Sequence, residues 1–558
     1  MYKISRTFIF LWTLFCLSSP AYAQPKHEIR AVWLTTLGGL DWPTTKASSP
    51  QRRMQQQKEL CDILDRLKAA HFNTVLYQAR IKGDVGYPSS HELFTEAFTG
   101  HAGQDPGYDP LAFAIEECHK RGMELHAWVV TIPVGNDRQI RSLKQQNVVK
   151  RYPKICKKYH NVWYLDPGHP GTADYLSGIV REIVTRYDVD GIHFDYIRYP
   201  ENSPKFPDKD TYRKYGHGQD WRQWRRDNIT RIVERLYTDI KALKPWVKVS
   251  SSPIGKYNDT GRYPSKGWNA YHVVFQDAQQ WLKRGIHDAL FPMMYFQGNN
   301  FYPFALDWQE NANGRWTVPG LGIYFLHPKE GKWKLEEVVR QLHFLRAIQA
   351  DGQAYFRNRF LMDNIQGLMD EIEEEFYTAP AVWPAMTWQD SIAPTAPTRP
   401  RLTFQEDGCT LLDWEAATDN SAPFTVTYRL YASDSYPVDT DQASHLIETR
   451  VETTHYEYRP SVPWLQQRYW AVTAVDRYGN ESRPLALNTP TVESLPTLHE
   501  LPEAGEGCTL VVTDRTGREV LATHESGTAP LQPLGKGFYR VSRRSADGTD
   551  RLIGILVR

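Results

Sequence analysis

The chain has 558 residues, too many for one hydrophobic core, so length alone predicts about three or four folding units. Hydrophobic residues make up 41% and charged residues 23%, a globular balance that excludes disordered and fibrous classes. Lys+Arg 66 against Asp+Glu 65 leaves a net charge of +1, which predicts no nucleic-acid partner and no anionic membrane surface. Residues 1–23 read as an export signal: Lys3 and Arg6 form the basic region, Phe8 to Leu17 the apolar run, and Ala21-Tyr22-Ala23 a small-x-small cleavage site. That run is too short to span a bilayer. The expectation is a mature protein that is soluble once the signal is removed and exported to the periplasm, cell surface or exterior. Cys61, Cys118, Cys156, Cys409 and Cys508 show neither a CxxC nor any metal spacing, so disulfides are not the scaffold. Cys61 and Cys118 fall in predicted helices, as small core residues.

From residue 24 to 372 short apolar strands alternate with amphipathic helices. The predicted strands are Ala31–Thr36, Phe72–Gln78, Met123–Val130, Gly191–Asp195, Val247–Ser252, Ala289–Tyr295, Trp316–Tyr324 and Gln353–Arg357. Helix patterns cover Gln51–Ala70, Leu111–Arg121, Thr172–Tyr187, Trp221–Leu243 and Leu335–Ile348. Near-continuous apolar strands joined by helical crossovers predict an α/β fold, a (β/α)8 TIM barrel with insertions. A doubly wound sheet is the structural alternative, but Gly38-Gly39 lacks the third glycine of a dinucleotide fingerprint.

A linker rich in proline and alanine is predicted over 373–396. The period then changes to two, with strands over Leu411–Trp414, Val426–Ala432, His455–Tyr458 and Trp470–Val475. Trp414, the Tyr428/Leu430 pair and RYWAVTAVDRYGNES resemble a fibronectin type III sandwich, placed over 397–492. A small β domain follows over 500–558, with CTLVVTDRTGREVL, LGKGFYRVSRR and RLIGILVR in order. It resembles the C-terminal sorting domain of the type IX secretion system, which implies secretion machinery as a partner. A plain terminal β module is the alternative.

In such a barrel the working face is the carboxyl end of the strands. That rule selects Arg80 after the second strand and His126 and Trp128 on the third. It also selects His193, Asp195, Tyr196 and Arg198 around the fourth, Tyr295 and Gln297 after the sixth, and Trp33 on the first. Asp195 is the most informative of these. A carboxylate among aromatics at a strand end is costly to bury unless it is paired or used. Glycoside hydrolysis uses such a group as nucleophile or base, with a second carboxyl as proton donor. A salt bridge of Asp195 to Arg80 or Arg198 is the structural alternative. His193 shares its side of the strand by period two, where it could bond a sugar or orient Asp195, with an inward-facing structural histidine as the alternative. No motif implies a cofactor or a metal.

EIRAVWLTT, FNTVLYQARIKGDVGYPSS, PGYDPLAFAIEECHKRGMELHAWV, WYLDPGHPGTADYL and VDGIHFDYIRYP run in order across the first 200 residues. They resemble the glycosyl hydrolase-like 10 family, the YngK-like proteins, and KPWVKVSSSP, WLKRGIHDALFPMMYF and GLGIYF continue the match. The resemblance implies a TIM-barrel enzyme acting on glycans of bacterial cell walls or extracellular polysaccharide. It implies that Arg80, Asp84, His126, Trp128, Asp195 and Tyr295 line the cleft. Many relatives carry a second Asp where this chain has Tyr196, and the glutamate of chitinase-like barrels is replaced by Ile197.

A second carboxyl must therefore come from elsewhere. Asp84, in the long GDVGY loop over the second strand, is the first choice as proton donor, with loop capping as its structural alternative. Glu201 and Glu92 are reserves. Asp166 sits in an Asp-Pro-Gly turn, and Asp188, Asp190 and Asp288 precede strands at the opposite face, so all four are expected to be structural. Trp33, Trp128, Tyr196 and Tyr295 could stack on sugars or simply pack. The reading is a secreted glycosidase with a glycan substrate and Asp195 essential. Its rival is a glycan-binding protein that uses the same aromatic cleft without turnover.

Overall fold

A computed structural model describes residues 24–558 apart from 202, 264–267, 406–408, 422–425, 460–468, 491–496, 506 and 547. The predicted export signal lies outside the described residues.

Eight segments build one parallel sheet: β1 (Ile29–Leu34), β2 (Thr74–Arg80), β3 (Glu124–Val130), β4 (Gly191–Asp195), β5 (Lys248–Ser251), β6 (Ala289–Leu290), β7 (Trp316–Thr317 with Gly320–Leu321) and β8 (Gly352–Tyr355). Their order across the sheet is β7-β6-β5-β4-β3-β2-β1-β8-β7. The two pieces of β7 stand at opposite edges although only Val318 and Pro319 separate them. The amide of Val318 donates to Leu290 while the amide of Ala354 donates to Pro319, so this segment is hydrogen-bonded on both sides. The result is a strongly curled sheet of TIM-barrel type. β1, β2, β4, β5 and β8 are buried along their whole length, as expected for strands covered on both faces.

The crossover helices follow their sequence signals. α1 (Pro50–Ala69), α2 (Pro110–Lys120), α3 (Pro170–Arg186) and α4 (Trp221–Leu243) each start on a side-chain cap, from Ser49, Asp109, His169 and Asp220. The first three add proline in the opening turn, where its missing N–H costs nothing. α5 (Ala278–Lys283), α6 (Tyr302–Glu310) and α7 (Leu335–Ala347) complete the outer layer. The periodic pattern did not reveal α5 or α6. Nor did it reveal a three-stranded antiparallel insert, Pro133–Asn136, Cys156–Tyr159 and Val162–Leu165, beside the mouth.

The segment read as a linker packs against the sheet instead. Val382 bridges to His27, and the Trp383 indole donates to the Thr74 hydroxyl at 2.7 Å and stacks on His126. Trp388 donates to Asp288 at 2.9 Å. These contacts seal the amino-terminal end of the curled sheet.

Beyond them a three-stranded sheet (Thr398–Phe404, Thr410–Glu415, His455–Tyr458) faces a four-stranded one (Leu446–Val451, Thr427–Ser433, Tyr469–Val475, Leu485–Ala486). Leu412, Trp414, Leu430, Trp470 and Val472 fill the space between them. This unit is docked on the barrel by Lys68–Glu448 at 2.8 Å, Arg477–Asp188 at 2.6 Å and Arg450–Asp190 at 3.3 Å. A separate five-stranded sheet from Thr497 to Val557 ends the chain, around Leu510, Val512, Val541 and Leu556.

Gly352 opens β8 beside β1, where an added Cβ would lie 2.0 Å from the Ile29 carbonyl oxygen. Gly352→Ala is therefore expected to destabilise the barrel by roughly 3 kcal/mol. Thermal unfolding checks this against Gly261→Ala, whose methyl meets nothing within 4 Å and which should melt like the parent.

Candidate active site

The carboxyl ends of the strands open on a cleft of about 960 Å³. Asp195 closes β4 at its floor and is 6% exposed. Its Oδ1 accepts the Tyr196 amide at 2.7 Å and the Ser252 hydroxyl at 2.9 Å, while Oδ2 accepts the Trp128 indole N–H at 3.2 Å. Donors from β3 and from the ends of β4 and β5 thus fix one orientation of the carboxyl. Burial raises its pKa above the usual carboxylate range, and the Ser252 hydroxyl, the Tyr196 amide and the Arg198 guanidinium pull the other way.

The chain turns sharply after β4. Tyr196 takes φ 51, a left-handed conformation, and its ring is left 42% exposed at the mouth. Arg198 lies beneath it, with its guanidinium 4.7 Å from the Tyr196 ring centre and 5.9 Å from that of Trp268. Across the cleft Tyr295 stacks on Phe356 at 5.4 Å and meets Tyr324 edge-on at 5.8 Å. Burial, then the charge of Asp195, push the Tyr295 phenol well above its ordinary pKa.

Trp33 lies across the barrel interior from β1, in space that Gly320 leaves open, since a Cβ there would come within 2.8 Å of the indole. Its N–H donates to His193 Nε2 at 3.2 Å, so Nδ1 carries the His193 proton and donates to Ser250 at 2.9 Å. Burial keeps the His193 pKa well below the ordinary imidazole value.

Six of the eleven sequence-predicted site residues line one cleft: Asp195, Trp33, Trp128, Tyr196, Arg198 and Tyr295. Five do not. His193 lies beneath Trp33, with both ring nitrogens used inside the barrel. His126 is two residues below Trp128 on β3, about 7 Å down the strand, and there it bonds Glu124 and stacks on Trp383. Arg80 is spent on Glu92, through two bonds of 2.7 Å, and on the carbonyls of Val130 and Thr131. Gln297 is exposed outside the lining. Asp84 also lies outside it, with Oδ1 buried and unpartnered, and burial pushes its carboxyl up to about 6.

Among the reserves, Glu92 is locked to Arg80 and to the Tyr175 hydroxyl, whereas Glu201 lines the cleft. Asp166 is buried against Thr211, and Asp188, Asp190 and Asp288 hold Arg477, His119 and Lys241 at the far end. Sequence reasoning missed the insert's contribution of Tyr159, His160 and Tyr164, and missed Trp268. The cluster of aromatics Tyr159, Trp163 and Tyr164 was the available signal for the former. Among the described residues no group of three or more His, Cys, Asp or Glu side chains could hold a metal ion.

The family model for glycosyl hydrolase-like 10 matches residues 28–319. The chain belongs to this family. It is 31% identical over 494 residues to glycosyl hydrolase YngK of Bacillus subtilis, covering 84% of this chain and 95% of that protein. It is 33% identical over 371 residues to glycosyl hydrolase DigH of Escherichia coli, covering 61% of this chain and 84% of DigH. Among solved structures it is similar to the PgaB (BpsB) glycoside hydrolase domain from Bordetella bronchiseptica, with a TM-score of 0.44 and 14% identity over 63% of this chain and 99% of that one. Membership in the glycosyl hydrolase-like 10 family supports a glycosidase-type function on a glycan substrate.

The Ser252 hydroxyl favours the ionised form of Asp195, so its removal should move that titration upward. Ser252→Ala is expected to raise the Asp195 midpoint, because a hydrogen bond to the charged form is lost. Carboxyl carbon NMR across a pH series checks this. An unchanged midpoint would mean that the hydroxyl does not control the charge.

Proposed function

We propose that the protein is an exported glycoside hydrolase that cleaves glycosidic bonds in a bacterial cell-wall glycan or an extracellular polysaccharide, with Asp195 as its catalytic carboxylate. The observation that carries this reading is a buried carboxyl, oriented by three donors, at the floor of an aromatic cleft at the strand ends. A group so held can meet an anomeric carbon without first reorganising. Hydrolysis also needs a proton donor for the leaving oxygen. Asp84 lies away from the cleft lining, so that role passes in this proposal to Glu201, the other carboxyl on the lining. Tyr196, Trp268 and Tyr324 offer flat faces on which sugar rings can stack.

The same proposal takes Trp316–Leu321 as one strand and the sheet as a (β/α)8 barrel. It takes the paired three- and four-stranded sheets as a fibronectin type III-like domain, and the terminal β unit as a secretion sorting domain. Export rests on the signal pattern of residues 1–23. The rival reading, a glycan-binding protein without turnover, draws on the 61% exposure of the Glu201 side chain and its pairing with Arg198.

The deciding experiment incubates the wild type and Asp195→Asn with peptide-stripped peptidoglycan strands and a panel of polysaccharides, and counts new reducing ends. Asp195→Asn is expected to lose about 10³-fold in turnover while its Tm moves by less than about 3 °C. Full activity in the variant would remove Asp195 from the mechanism. Binding by both proteins with no new reducing ends would favour the rival.

A further inference from the structure

The cleft contains a buried cation that its protein neighbours leave largely unused. Arg198 is 5% exposed, and its Nε is buried without a hydrogen-bond partner among the described residues. Its one carboxylate contact is Nη2 to Glu201 at 3.4 Å, longer than a charge-assisted bond of about 2.7–2.9 Å, and that glutamate is itself mostly in water. Two other buried arginines show what full pairing looks like in this chain. Arg80 makes two bonds of 2.7 Å to Glu92, and Arg225 makes two of 2.8 Å to Asp208. Both sit outside the cleft lining, whereas Arg198 is on it. A guanidinium withdrawn from water this far is costly unless an anion completes it. Asp195 feels the Arg198 charge, but among the described residues no hydrogen bond joins the two, and the Asp195 oxygens accept from Tyr196, Ser252 and Trp128.

We propose that Arg198 is the specificity-determining residue of the cleft and that it takes the ionised carboxylate of an acidic sugar. This deepens the hydrolase reading above and rests on it. The guanidinium lies 4.7 Å from the Tyr196 ring centre and 5.9 Å from that of Trp268, and it offers a planar fork of donors for a planar acceptor. Glu201 occupies the fork loosely in the absence of substrate. That pairing is long and its carboxylate stands mostly in water, so a sugar carboxylate can displace it and free the glutamate at the mouth. Lys82 on the same lining adds a second positive charge. A neutral glycan would leave Arg198 as poorly paired as before. The carboxylate can belong to a uronic acid or to an acid ether-linked to the ring, and both present the same two oxygens.

The test uses the full chain with Asp195→Asn, which prevents turnover, and measures binding calorimetrically. The probes are oligogalacturonate, peptide-stripped peptidoglycan oligomers, the carboxyl-reduced form of each, and neutral chito-oligosaccharide. One of the two acidic probes should bind at least tenfold more tightly than its reduced form, which also identifies the source of the carboxylate. Arg198→Gln added to Asp195→Asn should erase that difference and leave binding of the reduced form unchanged. Equal affinity for native and reduced probes would overturn the proposal, as would discrimination that survives Arg198→Gln. Wild-type turnover separates the two readings. Equal cleavage of a native glycan and its reduced form keeps the hydrolase and removes the carboxylate. Carboxylate-dependent binding without any cleavage does the reverse.

Discussion

The mouth of this curled sheet is organised around one desolvated carboxyl group. Taking Asp195 out of water is tolerable only because donors from three consecutive strands reach it, and those strands converge because the sheet is curled. The left-handed turn at Tyr196 follows directly, since it aims the Tyr196 amide back at Oδ1 and throws the ring outward. Arg198 is then carried under that ring. Each of these features depends on the one before it.

Below the carboxyl the interior avoids charge. His193 is bonded between Trp33 and Ser250, and burial favours its neutral form. The buried ions of the same domain stand apart from it as closed pairs, Arg80 with Glu92 and Arg225 with Asp208.

Much of this was legible in the sequence. The strand and helix boundaries of the α/β half were readable to within a few residues, because buried strands and amphipathic helices carry opposite periodicities. Trp221–Leu243 is the clearest example. Asp195, Trp128 and Tyr295 were legible because strand ends define the working face. His126 misled because inward-facing residues separated by one pleat share a direction but differ in depth, and period two says nothing of depth. Arg80 misled because Glu92, brought back by the following loop, takes its guanidinium. Asp84 misled because a loop sequence does not reveal whether its carboxyl points at the cleft or into the protein. Trp268 and the 156–165 insert were missed because their position depends on contacts distant in sequence.

The proline-rich stretch after residue 372 carries a consequence of its own. Its tryptophans fill the base of the barrel, with Trp383 on His126 and both Trp383 and Trp388 against Trp316. A chain cut after residue 372 would uncover a socket lined by those rings and by Asp288, and would behave as a sticky fragment. The α/β unit therefore extends past Trp388, and the segment that looks most like a tether is the curled sheet's stopper.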